Sequence, residues 1–222
     1  MVGNIEKAHV AMSLTDRNPT SRIPEKPAYH HGDLQRSLLD AARKMIREGG
    51  VEALSLRKLA EKVGVSRTAA YHYFTDKNAL LCHLAEQGFY AWRDQAETLF
   101  ADRSLDPVAQ FRAYIHWYMG YAIEHAEIYD LMFGRAIWKQ EKASESLKAV
   151  AYATFQLQVE MTRRWQAHGI LSPREDSLRV AQVSWGALHG LARLMIDGIY
   201  RGDSPVEDMC ACAATLLMQH KS

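Results

Sequence analysis

Residues 54–80, LSLRKLAEKVGVSRTAAYHYFTDKNAL, constrain this chain more than any other stretch. Leu56, Leu59, Ala60 and Val63 recur at i, i+3, i+4 and i+7, the apolar face of a short helix over about residues 55–62. Gly64 follows where the chain must turn sharply, a place for a residue free to adopt positive φ. Ser66 offers an N-cap to a second helix, which hides Ala70 and Phe74 and presents Arg67, Thr68, Ala69, Tyr71 and His72. Asp76 caps a third helix at once. Two short helices about a tight turn, the second with a basic and polar face, make a helix-turn-helix of the DNA-reading kind.

The flanking sequence supplies the rest of a small three-helix head. Asp33 is a good N-cap for a helix with Leu34, Leu38, Ala41, Ala42 and Met45 on one face, stopped by Gly49-Gly50. Phe74 is the aromatic plug under the three. The Asp76 helix is long: Leu80, Leu81, Leu84, Ala85, Gly88, Phe89 and Trp92 keep a helical period toward Phe100. It therefore begins in the head and runs out of it as a rigid connector.

Asp106-Pro107 opens an aromatic-rich helix to about residue 124, and a shorter one over 127–133 stops at Gly134. A long helix is expected over about 139–167, ended by His168-Gly169. Ser172-Pro173 opens the next, to 200, and Ser204-Pro205 the last, to 219. No alternating strand pattern appears. The expectation is an all-α chain of roughly nine helices, with a flexible N-terminal arm over 1–28, a DNA-binding head over 29–80, and a helical bundle for ligand binding and dimerisation over 81–222.

Composition narrows the function classes. The 222 residues are 48% hydrophobic and 24% charged, ordinary for a globular protein with a core. A net charge of +1 excludes a chain that binds nucleic acid by overall charge. The charge is uneven, though: residues 1–80 carry 13 Lys and Arg against 9 Asp and Glu, and the remainder 14 against 17. A basic front on a mildly acidic body suits a DNA-contacting head. Cys82, Cys210 and Cys212 make no disulfide framework and read as idle thiols of a reducing compartment. No secretory leader and no apolar run of membrane-spanning length is apparent, so a cytoplasmic protein without a membrane partner is expected. Phosphate-loop, dinucleotide, zinc-protease and serine-hydrolase motifs are missing, as are paired Glu-x-x-His segments for a metal. An enzyme, a metal site and a cofactor are not expected.

The run Val65-Ser66-Arg67-Thr68-Ala69-Ala70-Tyr71-His72-Tyr73-Phe74-Thr75-Asp76-Lys77-Asn78-Ala79-Leu80, preceded by Leu54-Ser55-Leu56-Arg57-Lys58-Leu59-Ala60, resembles the TetR family of bacterial transcriptional regulators. Ala70 departs from it, because the family more often has Leu, Ile or Val there; either the recognition helix sits closer to its partner, or Phe74 and Leu59 fill the gap. The resemblance implies phosphate contacts for Tyr71 and Lys77 in particular. On physical grounds Arg67 can read guanine, and the methyl groups of Thr68 or Ala69 can touch thymine. Lys77 lies where free backbone N–H groups favour a phosphate, and Ser66, the cap of the recognition helix, is a further candidate contact. His72 also suits phosphate, Ser55 and Arg57 can hold the flanking one, and Tyr29, His30 and His31 can brush the backbone from the arm.

One head reads few base pairs, so a homodimer on a palindromic double-stranded operator is expected. Gly186 and Gly190, four apart, let two helices approach, with Leu188, Ala192, Met195, Ile199, Leu216 and Leu217 as apolar surface. Bulky residues in the middle helices, Tyr129, Trp138, Met161 and Trp165 among them, suggest a pocket: Trp92, Phe111, Tyr114, Trp117, Tyr118, Tyr121, Met132, Phe133, Phe155, Trp185 and His189 are its candidates, each with plain core as the alternative. His116, His125 and His168 are further polar candidates. Residues 127–134, together with Trp185, His189 and Gly190, look like the TetR subgroup whose C-terminal domain is named for Trp-His-Gly. The resemblance implies a regulator, in most members a repressor, released by a small-molecule effector; an aromatic, mostly neutral pocket points to a hydrophobic or amphipathic one. The competing reading is a ligand-independent DNA-binding or protein-interaction module.

Overall fold

Three side-chain caps set the start of the fold. Ser55 Oγ accepts from the Lys58 backbone N–H at 3.2 Å, Ser66 Oγ from Ala69 N–H at 3.1 Å, and Asp76 Oδ1 from Ala79 N–H at 2.7 Å. They open α2 (Leu56–Val63), α3 (Arg67–Tyr73) and α4 (Lys77–Ala101). Between α2 and α3, Gly64 takes the left-handed conformation at φ 77°, and its N–H closes on the Ala60 and Glu61 carbonyls. A side chain there would be strained, which is why the turn carries glycine. α1 (His31–Ala53) precedes them and bends at Gly50, where φ is 70°.

The computed structural model describes residues 31–102, 104–139, 142–200 and 205–218. The expected arm, with Tyr29, His30 and the His31 side chain, lies outside the described residues, as do Ser204 and Gln219. Beyond α4 run α5 (Pro107–Glu124), α6 (Ala126–Phe133), α7 (Arg135–Trp138), α8 (Glu145–Ala167), α9 (Ser177–Ile196) and α10 (Val206–Leu217). Every regular element among the described residues is helical, so the chain is all-α.

The boundaries differ from the sequence expectation at α1, which holds Asp33 in its first turn and continues past Gly49-Gly50 to Ala53, at the end of α9, which stops at Ile196 and not at 200, and in three further places. A single turn, α7, follows Gly134 and raises the number of helical segments to ten among the described residues. α8 starts at Glu145 because Ser144 is its cap, accepting from Leu147 N–H at 3.1 Å. α9 starts at Ser177 and not after Pro173, because Asp176 Oδ1 accepts from Leu178 and Arg179 N–H at 3.1 and 3.3 Å, while Ser172 serves only a local turn to Arg174. An ionised carboxylate at the helix start is the stronger cap and also meets the positive end of the helix dipole.

One continuous core runs through the molecule, from Leu38, Leu59, Ala70 and Phe74, along Leu80, Leu84, Phe89 and Trp92, to Tyr129, Trp165 and Leu188. α4 carries it from end to end. The proposed division after Leu80 falls inside this helix, which packs with α1 and with α5, α6, α7 and α8. Ala70, Leu59 and Phe74 are all buried. α4 approaches α6 tightly at Gly88. A Cβ there would lie 2.6 Å from Ile128 Cγ2 and 2.7 Å from Met132 Sδ, and the Gly88 carbonyl accepts from the Tyr121 hydroxyl at 2.9 Å.

Candidate nucleic-acid interface and ligand pocket

The capped turn fixes which side chains α3 presents. Ala70 is turned inward at 0% exposure, so Arg67, Thr68, Tyr71 and His72 lie outward, all exposed, with Ala69 half-buried beside them. Tyr71 is 52% exposed, so the fold holds this aromatic in water on the same face. Ser66 is exposed but spends its hydroxyl on the cap, as Ser55 does at α2. Their phosphate-binding capacity is therefore shared with a structural duty. Arg57 is exposed and pairs loosely with Glu61 at 3.6 Å, one turn on. Lys77 Nζ lies 4.0 Å from Glu52, whose side chain is 99% exposed. Such a surface pair is weak and leaves the ammonium able to turn to an anion. The nine proposed contacts thus occupy one end of the molecule, on α2, α3 and the first turn of α4.

The aromatic candidates divide. Trp92, Phe111, Tyr114, Tyr118, Tyr121 and Met132 are buried in packed core. Trp117 is half-buried and donates from Nε1 to Gln95 Oε1 at 2.7 Å. Phe133, Phe155, Trp185 and His189 instead line an open pocket of about 430 Å³, together with Gln182 and Gly186. His116, His125 and His168 are exposed on the surface, away from it. Phe155 stacks on Trp185 with centroids 5.3 Å apart and planes 13° from parallel. Phe133 meets Trp185 and His189 edge-on at 5.8 and 5.3 Å.

Behind the pocket wall runs a hydrogen-bonded chain of side chains. Trp185 Nε1 donates to the Tyr118 hydroxyl at 2.7 Å, the Tyr118 and Tyr129 hydroxyls are 2.8 Å apart, and the Tyr129 hydroxyl is 2.7 Å from His189 Nδ1. Burial pushes the Tyr114 and Tyr118 hydroxyls well above the usual phenol range and that of Tyr121 up to about 12, so all three stay protonated. Burial, and then the charge of Arg193, hold His189 below its ordinary value. Arg193 itself pairs with Asp130 on α6 and Asp197 at the end of α9. Tyr129 belongs to the bulky set that the sequence offers for a pocket; Gln182 does not. Gln182, Trp185, Gly186 and His189 do fall at i, i+3, i+4 and i+7, so the stripe was readable; the Tyr129 contact joins residues 60 apart and was not.

The opposite edge of α9 forms a second concavity with α10, a groove of about 450 Å³ between Gly186, Gly190, Leu191 and Leu194 on one side and Met209, Ala213 and Leu216 on the other. Leu216 is 76% exposed. Leu188 and Ala192, expected on this surface, are buried against the chain's own core, because they sit on the inner side of α9. Cys210 is buried and Cys212 lies in the groove wall, and no group of potential metal ligands occurs among the described residues. No helix among them is long and apolar enough to cross a membrane.

Known proteins with these features define the class. Residues 38–84 match the family described as bacterial regulatory proteins, tetR family, and residues 111–217 match the tetracyclin repressor-like C-terminal domain. The chain belongs to the TetR family of bacterial regulatory proteins, which are not enzymes. Over 65 residues it is 35% identical to the HTH-type transcriptional repressor Rv1474c of Mycobacterium tuberculosis, an alignment covering 29% of this chain and 35% of that protein. Over 50 residues it is 46% identical to the class A tetracycline repressor from transposon 1721 in Escherichia coli, covering 22% and 23%. The chain thus spans about a third and about a quarter of the length of these curated relatives. Among solved structures, a protein of unknown function from Rhodococcus sp. RHA1 superposes with a TM-score of 0.75 at 33% identity, over 86% of this chain and 97% of that one. The TetR family regulator PfmR from Thermus thermophilus shares the fold, with a TM-score of 0.63 at 20% identity over 82% and 96%.

Proposed function

We propose that the protein is a cytoplasmic transcriptional repressor that dimerises through α9 and α10, binds a palindromic operator with its two heads, and is released by a hydrophobic or amphipathic small molecule. The observation that carries the DNA reading is the α3 face: Arg67, Thr68, Tyr71 and His72 stand exposed together on a helix locked by the Ser66 cap and the buried Ala70. Arg67 and Thr68, in its first turn, read bases, while Tyr71, Lys77, Arg57 and His72 hold phosphates.

Dimerisation is supported by the α9–α10 groove and by its exposed Leu216, apolar surface that a monomer leaves in water. Effector control is supported by two contiguities. Gly186 belongs both to the aromatic pocket and to the groove, so an occupant of the pocket alters the dimer seam. α4 joins the heads to the body without a break, so a change in the body tilts them. An effector then acts by favouring a dimer whose heads are wrongly spaced. A ligand-independent module is the competing reading, favoured by the solid packing of Trp92, Tyr114 and Tyr118, where a deeper cavity was expected.

The two separate in one experiment. Compounds that raise the melting temperature in a small-molecule screen are added to the protein on its operator; the sensor reading expects them to lower operator affinity. Binders that never change DNA affinity support the ligand-independent module instead.

A further inference from the structure

The hydrogen-bonded chain behind the pocket has only one orientation that satisfies its donors. The Trp185 Nε1–H can only donate, and it donates to the Tyr118 oxygen. Suppose Tyr129 also donated to Tyr118. The Tyr118 oxygen would then accept twice, and its own proton, on a side chain 1% exposed, would have no acceptor among the described residues. A buried donor left unpaired is costly. Tyr118 therefore donates to Tyr129, and the single Tyr129 proton goes to His189 Nδ1. Three bonds point the same way, from Trp185 to His189. His189 Nδ1 is an acceptor, so in the neutral ring the proton is on Nε2.

Nε2 has no hydrogen-bond partner among the described residues, and His189 lines the pocket. The other walls are the stacked Phe155 and Trp185, the edge of Phe133, the Gly186 backbone and the Gln182 amide. No lining residue carries a fixed charge; the Arg193 guanidinium is committed to Asp130 and Asp197, and that of Arg179 donates to the lining Gln182 Oε1 at 2.8 Å. A cationic guest would lose its hydration with no counter-charge to meet it, and an anionic one would have to draw Arg179 away from Gln182. Flat aromatic walls favour a flat guest.

Building on the pocket reading above, we propose that the effector is a neutral, planar aromatic molecule bearing a hydrogen-bond acceptor such as a carbonyl, which receives the Nε2–H of His189 while its ring packs on Trp185 and Phe155. Tyr129 is a positioning residue: it fixes the His189 tautomer and does not touch the ligand.

The tautomer is read by nitrogen NMR of the full chain labelled at histidine, near neutral pH. His189 should show a protonated Nε2 and a bare Nδ1; a proton on Nδ1 overturns the proposal. Acetophenone, ethylbenzene and benzoate then serve as probes of equal ring size, with binding followed at the His189 signals. Acetophenone should bind about fivefold tighter than ethylbenzene, the worth of one net hydrogen bond, and tighter than benzoate. Tyr129→Phe should reduce that preference while leaving ethylbenzene affinity unchanged; if that variant does not fold, His189→Leu on the half-buried wall makes the same test. Equal affinities, a preference for benzoate, or no binding by any probe overturns the assignment. Operator release is measured separately: acetophenone binding with the expected preference but without release removes the sensor reading and leaves the ligand class standing.

Discussion

Arg47 on α1 reaches Glu127 on α6, with Nε at 3.0 Å and one terminal nitrogen at 2.5 Å from the same carboxylate oxygen. The pair ties the helix behind the DNA-facing end to the helix that also carries Tyr129, behind the pocket wall. Arg43, one turn earlier, donates to Gln87 on α4 at 2.5 Å. α1 is thus clamped both to the connector and to the body, and a displacement of α6 is felt at the head through Arg47 as well as through α4.

The clamp should matter for coupling as well as for stability. Arg47 is largely exposed but the Glu127 side chain is only 11% exposed, so Arg47→Ala strands a largely buried carboxylate and is expected to cost about 1–3 kcal/mol in denaturant unfolding. Its signature is a change in how strongly a pocket ligand lowers operator affinity. An unchanged ligand effect would leave α4 as the sole route.

At Gly88 a substitution adds atoms instead of removing them. Gly88→Ala places a methyl group against Ile128 and Met132, in a contact too short to keep. Met132 is flexible and gives part of the room, so destabilisation of about 1–3 kcal/mol is expected from chemical unfolding. Because α4 and α6 must separate there, operator affinity should shift too, even though Gly88 is far from the α3 face.

At that face, substitutions should sort by what they touch. Lys77→Ala should weaken binding on every sequence and reduce the slope of log affinity against log salt by about one. Arg67→Ala should cost about 1–3 kcal/mol on the operator and relax specificity at one position, with the salt slope less affected. Fluorescence anisotropy over a salt series distinguishes the two patterns.

His189 gives a pH signature. Its folded pKa lies below the ordinary 6.5, first through burial and then through Arg193, with Tyr129, Asp130 and Asp197 the other ionisable groups nearby. As pH falls, the unfolded chain takes up the proton first. The stability due to the neutral ring is therefore complete above about pH 6.5 and declines as pH drops toward the folded value. Melting curves of the wild type and His189→Leu from above pH 7 to about pH 5 should converge on the acid side.

What the sequence made legible was local. Gly64, Ser66 and Asp76 act on neighbours three or four residues away, so the helix-turn-helix and the entry into α4 could be placed from residue types alone. The start of α9 was harder, because Ser172-Pro173 and Asp176 both offer a cap within five residues, and only the hydrogen bonds decide. The pocket was legible in part. Trp185 and His189 share a face by spacing, but whether a tyrosine fills core or faces a cavity depends on partners far along the chain: Tyr118 finds Trp185, Tyr114 donates to Gln158 at 2.5 Å, and neither pairing leaves a periodic trace. Leu188 and Ala192 look identical in sequence to the groove residues beside them. Only the rotation of α9 sends them inward.

The measurement that bears most directly on the account is selection of bound duplexes from a random pool by the wild-type protein and by Arg67→Ala. The α3 interface and the α9–α10 seam together predict that the wild type enriches an inverted repeat with half-sites about one helical turn apart or a multiple of it, and that Arg67→Ala loses sequence preference at symmetric positions in both halves. Enrichment of a single unrepeated site, no enrichment, or an inverted repeat retained unchanged by Arg67→Ala would contradict it.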